Sequence, residues 1–393
     1  QKIRDLIPQY FNELKDLIAD YKDKKIRVNK KLTSNPKWEE FYQTAEDLAA
    51  YLKNNLGFLQ IIYENLYFEL QEKNDENEMK IKSSINRCQD LIKRIEFNLK
   101  AEDDDYVFWL ESSYYRGSEQ IVQKSAPIDA GKFLPDMLWS KLSNIIFTSA
   151  TITAADSFDY FYRQTGIKNA EELKVESPFD YSEQAELLIP INFPEPGKKD
   201  FLDELVKNLK NIITKTKGST MVLFTSYRML NYAFNNLKTE LEEKGIRILS
   251  QSKLSRNYIM QQFQNEYNTV IFGTSSFWEG VDLPGDLLKY LVMVKLPFPV
   301  PGEPLYKAKG ELLKSKGLNP FFNLALPEAV IKFRQGFGRL IRSKKDRGLI
   351  ILFDRRVKNR SYGSQFLNSI PAGCPVSEFN TNDIIEKIDN MEL

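Results

Sequence analysis

The chain contains no histidine among its 393 residues. That excludes serine–histidine and cysteine–histidine nucleophile pairs, histidine-ligated zinc and any imidazole general base. Cysteine is nearly as scarce, with only Cys88 and Cys374. Two thiols cannot complete a four-cysteine zinc or iron–sulfur site within the chain, so no metal site is expected in it. Nor do they form the disulfide framework of a secreted protein, and a reducing cytoplasm is the expected location. No apolar run approaches the ~20 residues that cross a bilayer, so no membrane contact is expected. A dominant charge is lacking too: 55 Lys and Arg against 54 Asp and Glu leave a net +1. The opening residues, Gln1-Lys2-Ile3-Arg4-Asp5-Leu6, have neither an initiator methionine nor signal-peptide form. The expectation is a piece of a longer protein or a processed product.

What remains for chemistry is carboxylates, Arg, Lys, hydroxyls and backbone amides. Phosphoryl transfer is one reaction class that needs only these. At ~150 residues per domain the length suggests two or three domains. Hydrophobic content of 42% with 28% charged residues is that of an ordinary soluble globular protein.

The first hundred residues read as helices. Leu6, Tyr10, Leu14, Leu17 and Tyr21 recur at helical spacing, and Trp38, Phe41, Ala45, Leu48 and Leu52 continue a second apolar face. Asn35-Pro36 supplies an N-cap followed by proline at the first helical position. Ile81, Ile85, Cys88, Ile92, Ile95 and Leu99 form a bundle seam with Cys88 as buried filler. The polar stretch Glu72 to Glu78 reads as a loop. The run Glu102 to Asp105 marks a boundary, being a solvated turn and not a metal site. Strand-like runs follow at Tyr106 to Leu110, Gln120 to Gln123 and Ile145 to Thr148, with a helix over Phe133 to Leu142.

From about residue 185 strands and helices alternate. Strands are expected at Met221 to Phe224, Arg247 to Leu249, Thr269 to Gly273, Leu287 to Leu296 and Gly348 to Phe353. Helices are expected over Tyr227 to Lys244, Ser255 to Tyr267 and most of Pro320 to Ile341. Short, continuously apolar strands in this order predict an α/β fold with a doubly wound parallel sheet. Its ligands would bind beyond the carboxyl ends of the strands.

Four motifs fall at or near those ends. Gln335-Gly336-Phe337-Gly338-Arg339-Leu340-Ile341-Arg342 puts Gln335, Arg339 and Arg342 on one helical face. Two guanidinium forks and an amide suit the charge on a transferring phosphate. Residues 331–360 hold 11 Lys and Arg against 2 Asp and Glu, so +9 locally. A solvated basic helix or a nucleic-acid phosphate footprint would account for that excess equally well. Thr274 to Gly285 follows a strand and carries hydroxyls, Glu279, Gly280 and Asp282; as a bare turn its carboxylates would be caps. Thr148-Ser149-Ala150-Thr151 and Leu223-Phe224-Thr225-Ser226-Tyr227 are weak signals singly.

The order of all four resembles the later motifs of superfamily-two helicases, in detail the DinG/XPD group. Leu296-Pro297-Phe298-Pro299 and the long helical stretch before T-S-A-T, similar to that group's helical Arch, add to the resemblance. It implies an Arch-like helical domain at 1–105, the incomplete closing part of a first RecA-like motor domain at 106–165, and a second, complete motor domain at 166–393. It implies Arg339 and Arg342 as arginine fingers with Gln335 beside them. Glu279, Gly280, Asp282, Gly338, Ser149 and Thr151 would serve the nucleotide cleft. Ser226, Thr274 and Ser275 would contact DNA backbone, and Trp278 would stack on a base or, as favoured here, pack. The cofactors would be ATP and Mg2+, and the partner single-stranded or forked DNA, with 5′-to-3′ movement.

The departure from the pattern is large. No G-x-x-x-x-G-K-[ST] occurs; Gly197-Lys198-Lys199 lacks the leading glycine and the hydroxyl. A D-E-A-H-type box would need a histidine. The resemblance therefore implies that ATP and magnesium are held mainly by a first motor domain missing upstream, in the same polypeptide, and that the chain alone does not hydrolyse ATP. Some relatives carry an N-terminal 3′-to-5′ exonuclease domain, others an iron–sulfur cluster, and this sequence leaves that choice open. A non-enzymatic single-strand-binding module and an RNA-directed helicase are the competing readings.

Overall fold

The computed structural model describes residues 2–21, 24–70, 75–115, 118–154, 157–278 and 287–390. The chain divides into two units, Gln1–Ala130 with Val300–Lys316, and Gly131–Pro299 with Gly317–Leu393. No helix among the described residues is long and apolar enough to cross a membrane.

The first unit is built on helices Lys2–Ile18, Pro36–Leu70 and Asp75–Lys100. Their apolar faces close one core of Leu14, Ile18, Phe41, Ala45, Ile92, Leu99 and neighbours. The expected cap is present, the Asn35 side-chain oxygen accepting the N–H of Lys37 at 3.0 Å just before the helix begins. Cys88 is half-buried against this core, so it is not the fully buried filler expected; its position meets the edge of the seam. The expected loop at Glu72 to Glu78 is shorter, because helix resumes at Asp75; residues 71–74 lie outside the described residues. A three-residue strand, β1 (Lys25–Arg27), interrupts the helical region. It pairs antiparallel with β2 (Tyr106–Tyr115), which pairs with β3 (Ser118–Pro127). The helix Pro304–Ser315 belongs to this unit through Lys25–Glu303 at 2.9 Å and Arg27–Glu311 at 2.5 Å.

The second unit holds β4 (Ala185–Pro190), β5 (Thr220–Leu223), β6 (Arg247–Ser250), β7 (Thr269–Gly273), β8 (Tyr290–Met293), β9 (Gly348–Leu352) and β10 (Val376–Phe379). Among the described residues these seven form one parallel sheet in the order β10-β4-β9-β8-β5-β7-β6. Every residue of β5, β7 and β9 is buried, as a sheet covered on both faces requires. Alternate side chains feed two cores: Met221, Ile271, Met293 and Ile350 on one face, Val222, Phe272, Val292 and Ile351 on the other. Chain order runs outward from β5 to β6 and β7, then returns to β5's other side with β8. That reversal places a crevice at the carboxyl ends of β5 and β8.

Two sequence expectations fail here. Ile145 to Thr148 forms no strand, and Ile146 is 91% exposed. An apolar run becomes a strand only beside a hydrogen-bonding neighbour, and no described strand pairs with it. The helix expected to run to Ile341 ends at Phe337, with Gly338 as its C-cap.

Candidate functional site

Three of the motifs meet through main-chain carbonyls. Trp278 ends a short helical turn after β7 and is 1% exposed. Its indole Nε1–H donates to the carbonyl of Phe224, just past β5, at 3.3 Å. Its own carbonyl accepts from Arg339, from Nε at 3.3 Å and Nη2 at 3.1 Å. Trp278 therefore packs, and its ring is not available to a base. Glu279, Gly280 and Asp282, which follow it, lie outside the described residues.

Because the helix stops at Phe337, Arg339 and Arg342 do not share a helical face with Gln335. Arg339 sits in a turn, its N–H bonded to the Gly336 carbonyl at 3.1 Å. Arg342 follows just after that turn, and its N–H donates to Asp346 at 2.7 Å. Asp346 also takes the Ser343 N–H at 2.8 Å and the Ser343 hydroxyl at 2.6 Å. Burial works to raise the Asp346 pKa, but these three bonds and the Arg342 charge hold it below the ordinary value. Burial lowers the Arg342 pKa against the attraction of Asp346.

Gly336 and Gly338 differ. A Cβ on Gly336 would meet the terminal methyl of Met293 at 2.6 Å and the Trp278 ring at 3.3 Å, so a larger residue there would make both side chains shift. A Cβ on Gly338 would meet only the Gln335 carbonyl at 3.6 Å and that of Arg334 at 3.9 Å. Packing leaves that position open, which suits close approach of a ligand.

The T-S-A-T segment lies along the helix Leu326–Phe337. Gln335 Nε2 donates to the Thr151 hydroxyl at 3.4 Å, Arg334 to the Thr153 hydroxyl at 3.2 Å, and the Tyr160 hydroxyl to Glu328 at 2.8 Å. Ser149 is exposed and accepts the Thr151 N–H at 3.1 Å. A cavity of about 280 Å³ opens among Phe147, Ser149, Thr151, Tyr160, Gln164 and Gln335. The Gln335 side-chain oxygen is buried there and, among the described residues, has no hydrogen-bond partner.

The expected backbone contacts fare unequally. Ser226 caps the helix Tyr227–Glu243, accepting the Met229 N–H at 3.3 Å, and is half-buried. Ser275 is exposed. Thr274 is 3% exposed, and both its N–H and its hydroxyl donate to the Gln251 side-chain oxygen, at 2.7 and 3.0 Å. Sequence reading missed Gln251, whose Nε2 also donates to Ser276 at 2.7 Å. Its only signal was an amide immediately after a strand. Asp346 and Asp354 were missed for the same reason: buried carboxylates that organise loops leave no periodic mark. Among the described residues no group of three or more metal-ligating side chains is placed to hold a metal ion.

A parallel sheet of this order, covered on both faces by helices, is a RecA-like doubly wound α/β domain. Residues 209–373 match the family described as Helicase C-terminal domain. The chain is 34% identical over 317 residues to a Bacillus subtilis protein named 3′-5′ exonuclease DinG, covering 79% of this chain and 34% of that one. It is 38% identical over 279 residues to the ATP-dependent DNA helicase DinG of Photobacterium profundum, covering 69% and 40%. It is 36% identical over 321 residues to the ATP-dependent DNA helicase YoaA of Haemophilus influenzae, covering 79% and 49%. A solved structure titled XPD_APO superposes with a TM-score of 0.59 at 17% identity, covering 96% of this chain and 70% of that one. The chain belongs to the DinG-like helicase family. It spans between about a third and a half of the length of the curated relatives it matches.

Proposed function

We propose that this chain is the C-terminal part of an ATP-dependent DNA helicase that moves 5′ to 3′ on single-stranded or forked DNA. In this reading the helical residues 1–105 are Arch-like and 166–393 form the second motor domain. β2 pairs with β1 through residues 109–111 and β3 pairs with β2, so in this reading the closing piece of the first motor domain falls within 131–165. The observation that carries the reading is the Arg339–Trp278 contact, which sets the guanidinium of the last motif against the backbone entering the Glu279 motif.

The residues fit the phosphate end of a nucleotide. Arg339 and Arg342 supply charge, Gly338 leaves room, and the unpartnered Gln335 oxygen seeks a donor. Glu279, Gly280 and Asp282 would line the same cleft, with Ser149 and Thr151 relaying nucleotide state. Bound ATP with Mg2+ would supply the transferring phosphoryl group, and the metal's ligands would lie on a first motor domain of the same polypeptide. Arg339 and Arg342 hold charge where it develops, and loss of such a finger costs about 10³–10⁵ in rate. Ser226 and Ser275 would hold DNA phosphates, and the location would be the cytoplasm.

The name of the Bacillus subtilis relative favours a nuclease–helicase fusion as a second reading of the whole polypeptide. The test of the main reading is Arg339→Ala in the full-length protein. ATP hydrolysis should fall by about 10³ or more while DNA affinity stays within a few-fold. Parallel loss of DNA affinity would instead make the arginines phosphate-holding groups of a binding module.

A further inference from the structure

The carboxyl ends of β8 and β9 lie side by side, Met293 level with Leu352. Beyond them the chain continues as Val294-Lys295-Leu296 on one side and Phe353-Asp354-Arg355-Arg356 on the other. Asp354 is completely buried. Its carboxylate takes the Leu296 N–H at 2.9 Å, the Arg356 N–H at 3.1 Å, Arg356 Nε at 2.9 Å and Arg356 Nη2 at 2.6 Å. The Arg356 guanidinium lies over the Phe298 ring, 5.6 Å from its centroid. Asp354 is thus saturated by its neighbours and fixes both the loop after β8 and the orientation of Arg356.

Lys295 stands beside this pair, within the influence of the Asp354 charge but not bonded to it. It is half-buried and, among the described residues, makes no hydrogen bond or ion pair. Burial lowers its pKa, repulsion from Arg356 lowers it further, and Asp354 only partly opposes them. Two cations against one saturated carboxylate leave a local excess of one positive charge. Partial desolvation of an unpaired ammonium is unfavourable, and an incoming anion offsets it. The place is the crevice beside β5, where the sheet order reverses, and Ser226 follows the carboxyl end of that strand.

We propose that Lys295, backed by the Asp354–Arg356 pair, is a binding site for a backbone phosphate of single-stranded DNA crossing the carboxyl edge of the sheet between β5 and β9. This rests on the DNA-helicase reading above and adds to it a residue outside the four motifs. Lysine suits the task as a compact charge that tolerates a shifting phosphate, whereas Arg356 is already spent on its carboxylate.

The experiment is a fluorescence-anisotropy titration of labelled oligothymidylate over about 50 to 200 mM salt, with the unaltered chain, Lys295→Met and Lys295→Arg. Lys295→Met should weaken binding roughly tenfold, as loss of a charged contact does. It should also make the log–log salt slope shallower by about 0.7, the value for one contact to a single strand. Lys295→Arg should retain most of both. The melting temperature of Lys295→Met should stay equal or rise, because a desolvated charge is removed. Unchanged affinity and slope for Lys295→Met, with the unaltered chain binding normally, would overturn this site and leave the helicase reading standing. Weaker binding of a fluorescent ATP analogue with oligothymidylate unaffected would also overturn it, the phosphate then being a nucleotide's. No oligothymidylate binding by the unaltered chain would sink the DNA reading itself, and this site with it.

Discussion

The carbonyl of Trp278 accepts two hydrogen bonds from the guanidinium of Arg339, at 3.3 and 3.1 Å, across 61 residues of sequence. Trp278 is locked in turn by its indole N–H on the Phe224 carbonyl. The arginine of one motif is therefore bonded to the main chain of another, at a residue whose ring is buried. Trp278→Ala should destabilise the second unit by about 3–5 kcal/mol, the cost of truncating a buried aromatic, read by denaturant unfolding. Trp278→Phe should leave oligonucleotide affinity unchanged. A loss of ~1–3 kcal/mol of binding in that variant would instead show the base stacking that its burial argues against.

Asp346 organises the loop that carries Arg342. Removing its carboxylate takes the acceptor from the N–H groups of half-buried Arg342 and exposed Ser343, so Asp346→Ala should cost about 1 kcal/mol. The pH dependence has a definite sign. The carboxyl pKa is depressed in the folded protein, so its contribution is complete above the ordinary value of 3.8 and is lost as pH falls through the lower folded value. Unfolding curves of the unaltered chain and Asp346→Ala should converge at the acid end and separate above it.

The glycines of the last motif separate folding from function. Gly338→Ala meets nothing closer than 3.6 Å, so its melting temperature should hold or rise slightly. Any loss of nucleotide response in the full-length protein then reports ligand approach. Gly348→Ala is the contrast: its Cβ would lie 2.5 Å from Leu340 Cγ, within a buried strand. Overpacking there should cost about 1–3 kcal/mol.

The two thiols should label at different rates. Cys374 is buried, and burial, with Glu186 adding to it, raises its pKa from 9.0 to about 11. At pH 8 only ~0.1% of such a thiol is the reactive thiolate. A thiol reagent should therefore modify half-buried Cys88 first and Cys374 only on unfolding. Because the folded pKa is raised, the stability contributed by the neutral thiol should fall as pH climbs from 9.0 towards about 11.

Long-range order was more legible in the sequence than local side-chain placement. Continuous apolar runs such as Val270-Ile271-Phe272 announce buried parallel strands, because both faces of such a strand must be covered. Capping residues Ser226 and Ser255 mark their helices through local hydrogen bonds that composition reveals. The strands Ala185–Pro190 and Val376–Phe379 were not legible, since edge pairing depends on partners nearly two hundred residues away. Ile145 to Thr148 misled for the converse reason, an apolar run with no neighbour to pair with. In the site, motif spacing located Arg339 and Arg342, but not the helix end at Phe337 that separates them from Gln335's face. Thr274 looked like a backbone contact because its hydroxyl follows a strand; only the fold reveals that Gln251 has taken it.

ATP hydrolysis by the purified 393-residue chain, with and without single-stranded DNA, distinguishes a severed motor half from a complete nucleotide site. The chain should bind DNA in a way that weakens with salt and should not hydrolyse ATP, because arginines without a phosphate cradle have nothing to act on. DNA-stimulated hydrolysis by the chain alone would contradict this, and would place a complete nucleotide site among these residues.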